Sequence, residues 1–390
     1  MEDFVFDGFA TKILFGRATE DKIGEEVQNY GSTILLLYGG DSAKKSGLYS
    51  RVNASLKKAA IKAIELCGVR PNPTYELIHE GIRLCKRNAV DIVVAVGGGS
   101  VIDSAKAIAI GAPYGGDVLD FAKKREIPKA ALPVGVILTL PAAGSETSRY
   151  AVATYQENGY AYKRDVILEN SYLVRPKFAI LNPELTFTLP PFQTACGICD
   201  IMAHVMERYF TPAKNVELTD RLCESVLKTV IHNAYIVIRD PQNYQARSEI
   251  MWSGSIAHND LLGTGRQSDW ASHNIEMELS ALYDIAHGAG LAIIMPAWMR
   301  HVYKENVERF VQYAVEVWNV DYDYYSPDAA ALEGIRRLEA FYKEIGLPTR
   351  LRDLDIPDAR FEEMAQKAGK AGSIKKMTEK DILAIFRMAM

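Results

Sequence analysis

Cysteine is scarce in this sequence, and its scarcity argues against a protein held together by disulfide bonds. Only 5 of the 390 residues are cysteines, an odd and low number for a disulfide framework. The thiols favour a reducing compartment, and we expect the cytoplasm. The opening stretch MEDFVFDGFA is acidic and has no apolar segment behind basic residues, so it lacks the form of a signal peptide.

Long apolar runs and an excess of one charge are also missing. No apolar stretch approaches the ~18–20 residues that a membrane-spanning helix needs. The formal net charge is −4, and no run of basic residues stands out. We therefore expect neither a membrane nor a nucleic acid as a partner. A length of 390 residues exceeds what one compact core usually holds, so two domains are expected.

The first half of the chain contains short apolar runs with the composition of buried β-strands. Segments with helical periodicity, such as 74–88, lie between them. Continuous apolar strands that alternate with helices predict a parallel sheet covered on both faces. Residues 152–162 predict a β-hairpin with its turn at Asn158 and Gly159. The four apolar runs are 33–38, 91–96, 133–140 and 177–181.

The character of the sequence changes near Pro190 and Pro191. Beyond these residues, alternating hydrophobicity is scarce and segments with helical periodicity follow one another to the C-terminus. We therefore predict an α/β domain over 1–188 and an all-α domain over 189–390.

A glycine triplet after the second apolar run predicts a phosphate-binding turn. Gly97, Gly98 and Gly99 precede a helix that begins near Ser100. A helix N-terminus offers unpaired N–H groups and partial positive charge, and glycine lets a phosphate approach closely. The alternative is a plain strand-to-helix turn with Ser100 as N-cap. The triplet is not the GxGxxG fingerprint, so an ordinary Rossmann fold does not follow.

A second glycine turn carries an acidic residue. Gly39 and Gly40 end the run 33–38, and Asp41 follows them. A carboxylate at the end of an early strand can accept hydrogen bonds from an adenosine ribose and repels a 2′-phosphate, which favours NAD over NADP. The alternative is that Asp41 only caps the next helix.

Four residues of the second half form a candidate metal site. Asp200 and His204 are spaced i, i+4, so on a helix they project from one face. The segment 269–290 adds His273 and His287. Three imidazoles and one carboxylate suit Zn²⁺ or Fe²⁺. The alternative is that each histidine is an ordinary surface or core residue.

A CxxC motif, from Cys196 to Cys199, overlaps the first metal candidate. A zinc knuckle needs a second such pair, which Cys67, Cys85 and Cys223 do not supply. A redox motif of the thioredoxin type follows a strand in a βαβ unit, whereas this motif opens the helical half. We interpret both cysteines as small packing residues near a helix start.

Assembled in order, these segments resemble the iron-containing alcohol dehydrogenase family over nearly the whole chain. Within that family the sequence is most similar to NADH-dependent butanol dehydrogenases and broad aldehyde reductases. The resemblance implies a dehydroquinate-synthase-like fold, with a dinucleotide-binding α/β domain, a helical metal-binding and substrate domain, and an active site in the cleft between them. The matching segments are KILFGRATEDKIGEEV (12–27), YGGDSAKKSG (38–47), GVRPNPTYE (68–76), VGGGSVIDSAKAIA (96–109), TLPAAGSETS (139–148) and RPKFAILNPELTFTLPP (175–191).

The family pattern, carried over by position, assigns roles to individual residues. It implies reversible reduction of aldehydes to primary alcohols with NAD(H), a small aldehyde or alcohol as substrate, one divalent iron or zinc ion, and a homodimer. The implied metal ligands are Asp200, His204, His273 and His287. The implied cofactor-binding residues are Gly39, Asp41, Asn72, Gly97, Gly98, Gly99, Ser100, Asp103, Thr139, Leu140, Ser148 and Lys163.

One position departs from the family pattern. Family members commonly carry a histidine four residues after the third ligand, in a segment like HxxEHE, and that histidine is thought to relay a proton. Here the segment reads HNIEME and the position holds Met277, which cannot carry a proton. Met277 therefore leaves an alternative function, that of a non-catalytic or weakly active NAD-binding protein. A dehydroquinate-synthase-like lyase is a further alternative, although the sequence shows no cluster of Arg and Lys around the metal segments apart from Arg266 and nearby Arg300.

Overall fold

In the computed structural model of the protein, residues 1–7 and 10–390 are described; Gly8 and Phe9 of the opening stretch lie outside them. Two compact units divide the chain. The α/β unit comprises Asp7–Leu189 and Gln242–Ser255, and the helical unit comprises Met1–Phe6, Pro190–Pro241 and Ile256–Met390. The domain boundary between residues 188 and 189 stays a prediction, since each unit includes a segment from the other side of it.

The α/β unit is built around a parallel sheet with a separate antiparallel hairpin. The sheet has six strands in the order β1-β8-β5-β4-β2-β3, and β6 pairs with β7. The strands are β1 (Lys12–Phe15), β2 (Thr33–Tyr38), β3 (Lys62–Leu66), β4 (Ile92–Gly97), β5 (Val134–Leu138), β6 (Val152–Glu157), β7 (Tyr160–Asp165) and β8 (Phe178–Leu181). The helices before the boundary are α1 (Ile23–Gln28), α2 (Ser42–Lys45), α3 (Leu48–Lys58), α4 (Tyr75–Asn88), α5 (Gly99–Gly111) and α6 (Leu119–Ala122).

The predicted parallel sheet and hairpin are confirmed. All five pairings within the large sheet are parallel. The hairpin turns at Asn158 and Gly159, both with positive φ (52° and 79°). The apolar runs correspond to β2, β4, β5 and β8, but they did not predict β1 or β3. These two strands form the edges of the sheet, where partial burial allows polar residues such as Lys12 and Lys62.

Strand side chains alternate between two apolar cores, one on each face of the sheet. In β2, Ile34 and Leu36 belong to one core, whereas Leu35 and Leu37 belong to the other. Residues of α1 and α3 complete the first core, and residues of α4 and α5 complete the second. Both faces are therefore buried, which explains why β2 and β4 read as continuous apolar runs.

The helical unit is organised around one buried helix, α7. Every residue of α7 from Thr194 to Tyr209 is buried, and the helix packs against α8 and α11. Pro191 occupies its first turn, where the missing N–H costs nothing. None of the described helices combines the length and apolarity needed to cross a membrane. After α7 the chain forms the helices α8 (Glu217–Arg239), α9 (Tyr244–Ala257), α10 (Ala271–Tyr283), α11 (His287–Val302), α12 (Val307–Trp318), α13 (Pro327–Glu344), α14 (Phe361–Lys367) and α15 (Glu379–Met388). Most of α9 belongs to the α/β unit, and the other helices of this set belong to the helical unit.

Gly135 of β5 makes room for an aromatic ring from the neighbouring strand. It pairs directly with Phe178 of β8, and a Cβ at residue 135 would lie 2.3 Å from the ring atom Cζ of Phe178. The ring is completely buried. Glycine at this position therefore permits dense packing in the centre of the sheet.

We expect Gly135→Ala to lower the free energy of unfolding by about 1–3 kcal/mol, the usual cost of overpacking a core. Gly115→Ala is the matched control, because no atom lies within 4 Å of the added Cβ. The control should change stability by no more than about 0.5 kcal/mol. Urea denaturation measures both, and equal stability of the two variants would show that Phe178 yields without cost.

Candidate functional site

The first two predicted metal ligands lie inside the buried helix α7. Asp200 and His204 are one turn apart, and Nε2 of His204 is 3.4 Å from Oδ1 of Asp200. Both residues are about 95% buried, with 4% and 5% of their surface exposed. The i, i+4 spacing therefore places the two side chains on one face, as the sequence predicted.

Two further histidines reach the same carboxylate from neighbouring helices. His273 is in the first turn of α10, and His287 is the first residue of α11. Nε2 of each imidazole is 3.8 Å from Oδ1 of Asp200. The ligand atoms of Asp200, His204 and His273 lie within 4.8 Å of one another. The His287 side chain is 25% exposed, so it forms the most open part of the cluster.

The polar atoms at the centre of this cluster fit a bound cation. Oδ1 of Asp200 and Nε2 of His273 are buried, and neither has a hydrogen-bond partner among the described residues. Leaving such an atom unsatisfied costs about 1–3 kcal/mol. A divalent ion with borderline preference for nitrogen and oxygen would satisfy both atoms, and three imidazoles with a carboxylate are a suitable donor set.

Protonation differs between the two most buried histidines. Burial lowers the pKa of His204 well below its usual value, and the nearby His258, His273, Arg208 and His287 lower it further. Burial also lowers the pKa of His273, but the nearby carboxylate of Asp200 and the hydrogen-bonded carboxylate of Glu207 outweigh burial and raise that pKa to about 9. His204 is therefore already in the neutral form that binds metals, whereas His273 has to lose a proton.

Sequence reasoning missed two carboxylates beside the cluster. Nδ1 of His273 is 2.9 Å from Oε1 of Glu207 on α7. Nδ1 of His287 is hydrogen-bonded to Oε2 of Glu276 on α10. Each glutamate follows a ligand histidine by three residues, in HVME (204–207) and HNIE (273–276). That repeated His-x-x-Glu spacing was the available signal, since i and i+3 share a helix face.

Aromatic rings surround His204. The ring of His258 lies 4.1 Å from that of His204, and the Trp270 ring lies 5.8 Å away, measured between centroids. Trp270 also contacts His273, with centroids 5.4 Å apart. Its φ of 65° is unusual for a bulky residue. The sequence did not single out His258 or Trp270, because their proximity to His204 arises only in the folded chain.

The CxxC cysteines are buried in α7. Burial, aided by the charge of Asp200, raises the pKa of Cys196 to about 12. Burial likewise raises the pKa of the Cys199 thiol well above its usual value. Both thiols are therefore protonated and weakly nucleophilic at neutral pH. This agrees with the interpretation of the two cysteines as packing residues.

The glycine triplet lies at the start of α5, as predicted. Gly97 ends β4, Gly98 is the N-cap of α5, and Gly99 is its first residue. The alternative in which Ser100 is the N-cap is wrong, because Ser100 is already helical and its carbonyl accepts a bond from Ser104 Oγ. The N-cap residue Gly98 makes no side-chain capping bond to α5. The first N–H groups of α5 are thus available to an anion.

Other predicted cofactor residues adjoin the triplet. The Thr139 N–H donates to the Gly97 carbonyl at 3.1 Å. The side chain of Leu140 covers Gly98, since a Cβ added there would lie 3.1 Å from Leu140 Cβ. Gly39 faces Val101 of α5 in the same way, at 3.8 Å. These contacts form one continuous surface at the ends of β2, β4 and β5.

Three further residues of the predicted cofactor site are Asp41, Asn72 and Lys163. Asp41 is exposed and is the N-cap residue of α2, but its side chain makes no capping hydrogen bond. Its carboxylate is therefore not used as a helix cap. Lys163 Nζ donates to Oδ1 of Asn72 at 2.8 Å, which brings together two residues 91 positions apart. Asn72 has a φ of 55°.

Asp103 and Ser148 belong to one hydrogen-bond network around Lys106, a residue that the sequence analysis did not single out. Lys106 is completely buried in α5, and its Nζ donates to Ser145 Oγ at 2.8 Å and to the Ser148 carbonyl at 3.0 Å. Burial lowers the pKa of Lys106 to about 8. Asp103 accepts from Ser145 Oγ at 2.6 Å and from the Val152 N–H at 3.1 Å. The side chains of Lys106 and Asp103 thus hold the 145–152 loop against α5. The sequence signal for this role was a lysine within the otherwise apolar pattern of that helix.

We expect metal binding to displace one proton from His273. Because its pKa is about 9, the imidazole is protonated at neutral pH, and affinity for Zn²⁺ should fall about tenfold per pH unit as pH drops below 9. Titration calorimetry in two buffers of different ionisation enthalpy counts the released proton. Binding at pH 7 without proton release would contradict this expectation.

Comparison with known proteins extends over the whole chain. Residues 10–183 match the family model "Iron-containing alcohol dehydrogenase", and residues 194–390 match "Fe-containing alcohol dehydrogenase family, C-terminal". The chain is 45% identical over 383 residues to probable NADH-dependent butanol dehydrogenase 1 of Bacillus subtilis, covering 97% of this chain and 98% of that protein. It is 40% identical to NADH-dependent butanol dehydrogenase A of Clostridium acetobutylicum, covering 97% of each chain.

A solved structure is similar throughout. The crystal structure of NADH-dependent butanol dehydrogenase A from Thermotoga maritima superposes with a TM-score of 0.94 at 38% sequence identity, covering 100% of this chain and 99% of that one. The matches to both family models together span both units of the structure. The chain therefore belongs to the iron-containing alcohol dehydrogenase family.

Proposed function

We propose that this protein is a metal-dependent, NAD(H)-linked enzyme that reversibly reduces aldehydes to primary alcohols. The observation that carries the proposal is the convergence of three imidazole Nε2 atoms on one buried oxygen of Asp200. The printed names of the similar proteins, NADH-dependent butanol dehydrogenases, support the cofactor and the substrate class. They do not favour the lyase or the non-catalytic alternative.

The side chains of the cluster would hold a divalent iron or zinc ion, with Asp200, His204, His273 and His287 as ligands. Such an ion supplies Lewis acidity toward a carbonyl oxygen. His204 contributes a neutral imidazole, and Asp200 contributes negative charge at the centre. Because His287 is the most exposed of the four, the small aldehyde approaches on its side, while the buried helix α7 excludes water from the opposite side.

The α/β unit would bind NAD(H), which supplies the hydride. The uncapped N-terminus of α5 and its glycine triplet suit the diphosphate. Thr139, Leu140 and Gly39 line the same surface. Asn72 and Lys163 hold each other in place, and Lys106 with Asp103 fixes the loop that carries Ser148.

Proton transfer in this chain does not use residue 277. Met277 lies on α10, one turn after His273, and its thioether carries no exchangeable proton. The proton that alcohol formation takes up therefore arrives by another route.

We further propose that the protein is a homodimer in the cytoplasm. The resemblance to the family supports a homodimer. The five cysteines are all free thiols, four of them buried, which supports the cytoplasm as the compartment.

Replacing His273 with alanine tests the metal scheme. We expect bound metal and the rate of butanal reduction by NADH to fall together, by more than the ~100-fold typical of losing a residue outside the ligand shell. His232→Ala is the control, because His232 is exposed on α8. Elemental analysis and NADH oxidation measure the two effects. Full activity of His273→Ala without metal would reject the scheme.

Asp41 tests the choice of cofactor. Its carboxylate is exposed and makes no helix cap, so Asp41→Gly should shift the ratio of kcat/KM for NADH over NADPH toward NADPH by about tenfold, which corresponds to about 1.4 kcal/mol of like-charge repulsion at an exposed site. Asp41→Asn removes the charge and keeps the shape, so it should shift the ratio in the same direction. An unchanged ratio in both variants would contradict this role.

A further inference from the structure

We propose that Glu207 and Glu276 are positioning residues that brace the three ligand-bearing helices and hold His273 and His287 with Nε2 facing Asp200. The inference rests on the proposed metal site and adds to it two residues that act through the ligands. It concerns the folded chain itself, because the brace consists of hydrogen bonds between protein groups.

Glu207 joins α7 to α10. It is completely buried and accepts three hydrogen bonds: from the Trp270 N–H at 2.6 Å, the His273 N–H at 3.0 Å and the His273 Nδ1 at 2.9 Å. Trp270 is the N-cap of α10, and its side chain makes no capping bond. A carboxylate from α7 therefore caps α10 and orients the ligand in its first turn at the same time.

Glu276 joins α10 to α11. It is completely buried; Oε2 is hydrogen-bonded to Nδ1 of His287, and Oε1 accepts from Ser280 Oγ. Residue 290 of α11 is glycine, and a Cβ there would lie 2.5 Å from Oε1 of Glu276. The missing side chain at Gly290 thus leaves the space that the carboxylate occupies against α11.

Both bonds have the same consequence for the imidazole rings. A neutral imidazole that donates from Nδ1 to a carboxylate carries its lone pair on Nε2, which is the form that binds a metal. In His273 and His287 the bonded atom is Nδ1, and Nε2 is the atom 3.8 Å from Asp200. Glu207 and Glu276 therefore select both the tautomer and the direction of each ring.

The connections run in one order along the chain. Helix α7 carries Asp200, His204 and the carboxylate that holds His273; helix α10 carries His273 and the carboxylate that holds His287. Nδ1 of His204 has no hydrogen-bond partner among the described residues, so this first histidine is placed by packing against aromatic rings. His273 and His287 are each held by a carboxylate from the preceding ligand-bearing helix, which is α7 for His273 and α10 for His287.

Glu276 offers the sharper test, because Glu207 also caps a helix and its loss would disturb folding. The affinity of the metal-stripped full-length chain for Zn²⁺ is measured by competition with a chelator, together with the visible absorption of the Co²⁺-loaded chain. Glu276→Ala should weaken Zn²⁺ binding about 10–100-fold and change the Co²⁺ spectrum. Glu276→Gln should restore most of the affinity, since its amide can accept from Nδ1 and donate to Ser280 Oγ.

Two controls separate positioning from stability. Ser280→Ala removes the hydrogen bond from Ser280 Oγ to Glu276 and should leave Zn²⁺ affinity within about threefold of the unaltered chain, well short of the 10–100-fold loss expected for Glu276→Ala. Thermal unfolding of each metal-free variant reports structural damage independently of the metal. Unchanged Zn²⁺ affinity and Co²⁺ spectrum in Glu276→Ala would overturn the inference, whatever happens to stability. If His273→Ala abolishes Zn²⁺ binding in that case, the proposed function stands; if the unaltered chain binds no Zn²⁺, both fall.

Discussion

The candidate metal site of the helical unit depends on the burial of one carboxylate oxygen. Oδ1 of Asp200 lies in the interior, on a helix enclosed by its neighbours, without a hydrogen bond from any described residue. A buried polar atom of this kind is costly unless something of opposite charge meets it. The Nε2 atoms of three imidazoles lie 3.4–3.8 Å from this oxygen. The arrangement is costly for an empty protein and favourable for one that binds a cation.

In the α/β unit, buried polar groups are likewise concentrated in one place. Its central strands are apolar on both faces, so polarity is confined to the carboxyl ends of the strands and the loops that follow. There, Lys106 is buried among carbonyl and hydroxyl groups that all accept from it. These bonds tie the loop of residues 145–152 to helix α5. The candidate cofactor surface therefore includes a loop that is fixed by buried hydrogen bonds.

Much of this could be predicted from the sequence, but only where the signal is local. The apolar runs predicted the central strands, because burial on both faces leaves a continuous pattern, whereas the edge strands β1 and β3 are half polar and gave none. The i, i+4 spacing placed Asp200 and His204 on one face. The segment 269–290 supplied His273 and His287 as candidates, but no local pattern connects them to Asp200, and the family resemblance joined the four residues into one ligand set. Glu207 and Glu276 were overlooked because glutamate is common on helices, and its partners become visible only once α7, α10 and α11 pack together.

The uneven exposure of the ligands has a kinetic consequence. Asp200, His204 and His273 are almost fully enclosed, whereas a quarter of the His287 side chain is open. An ion held by all four side chains would therefore detach from His287 first, while the three enclosed donors still held it. Exchange of such an ion with ions in the surrounding solution would then depend on how often the His287 ring breaks its hydrogen bond to Glu276. A loaded chain would in that case keep its metal through long dialysis even at modest equilibrium affinity.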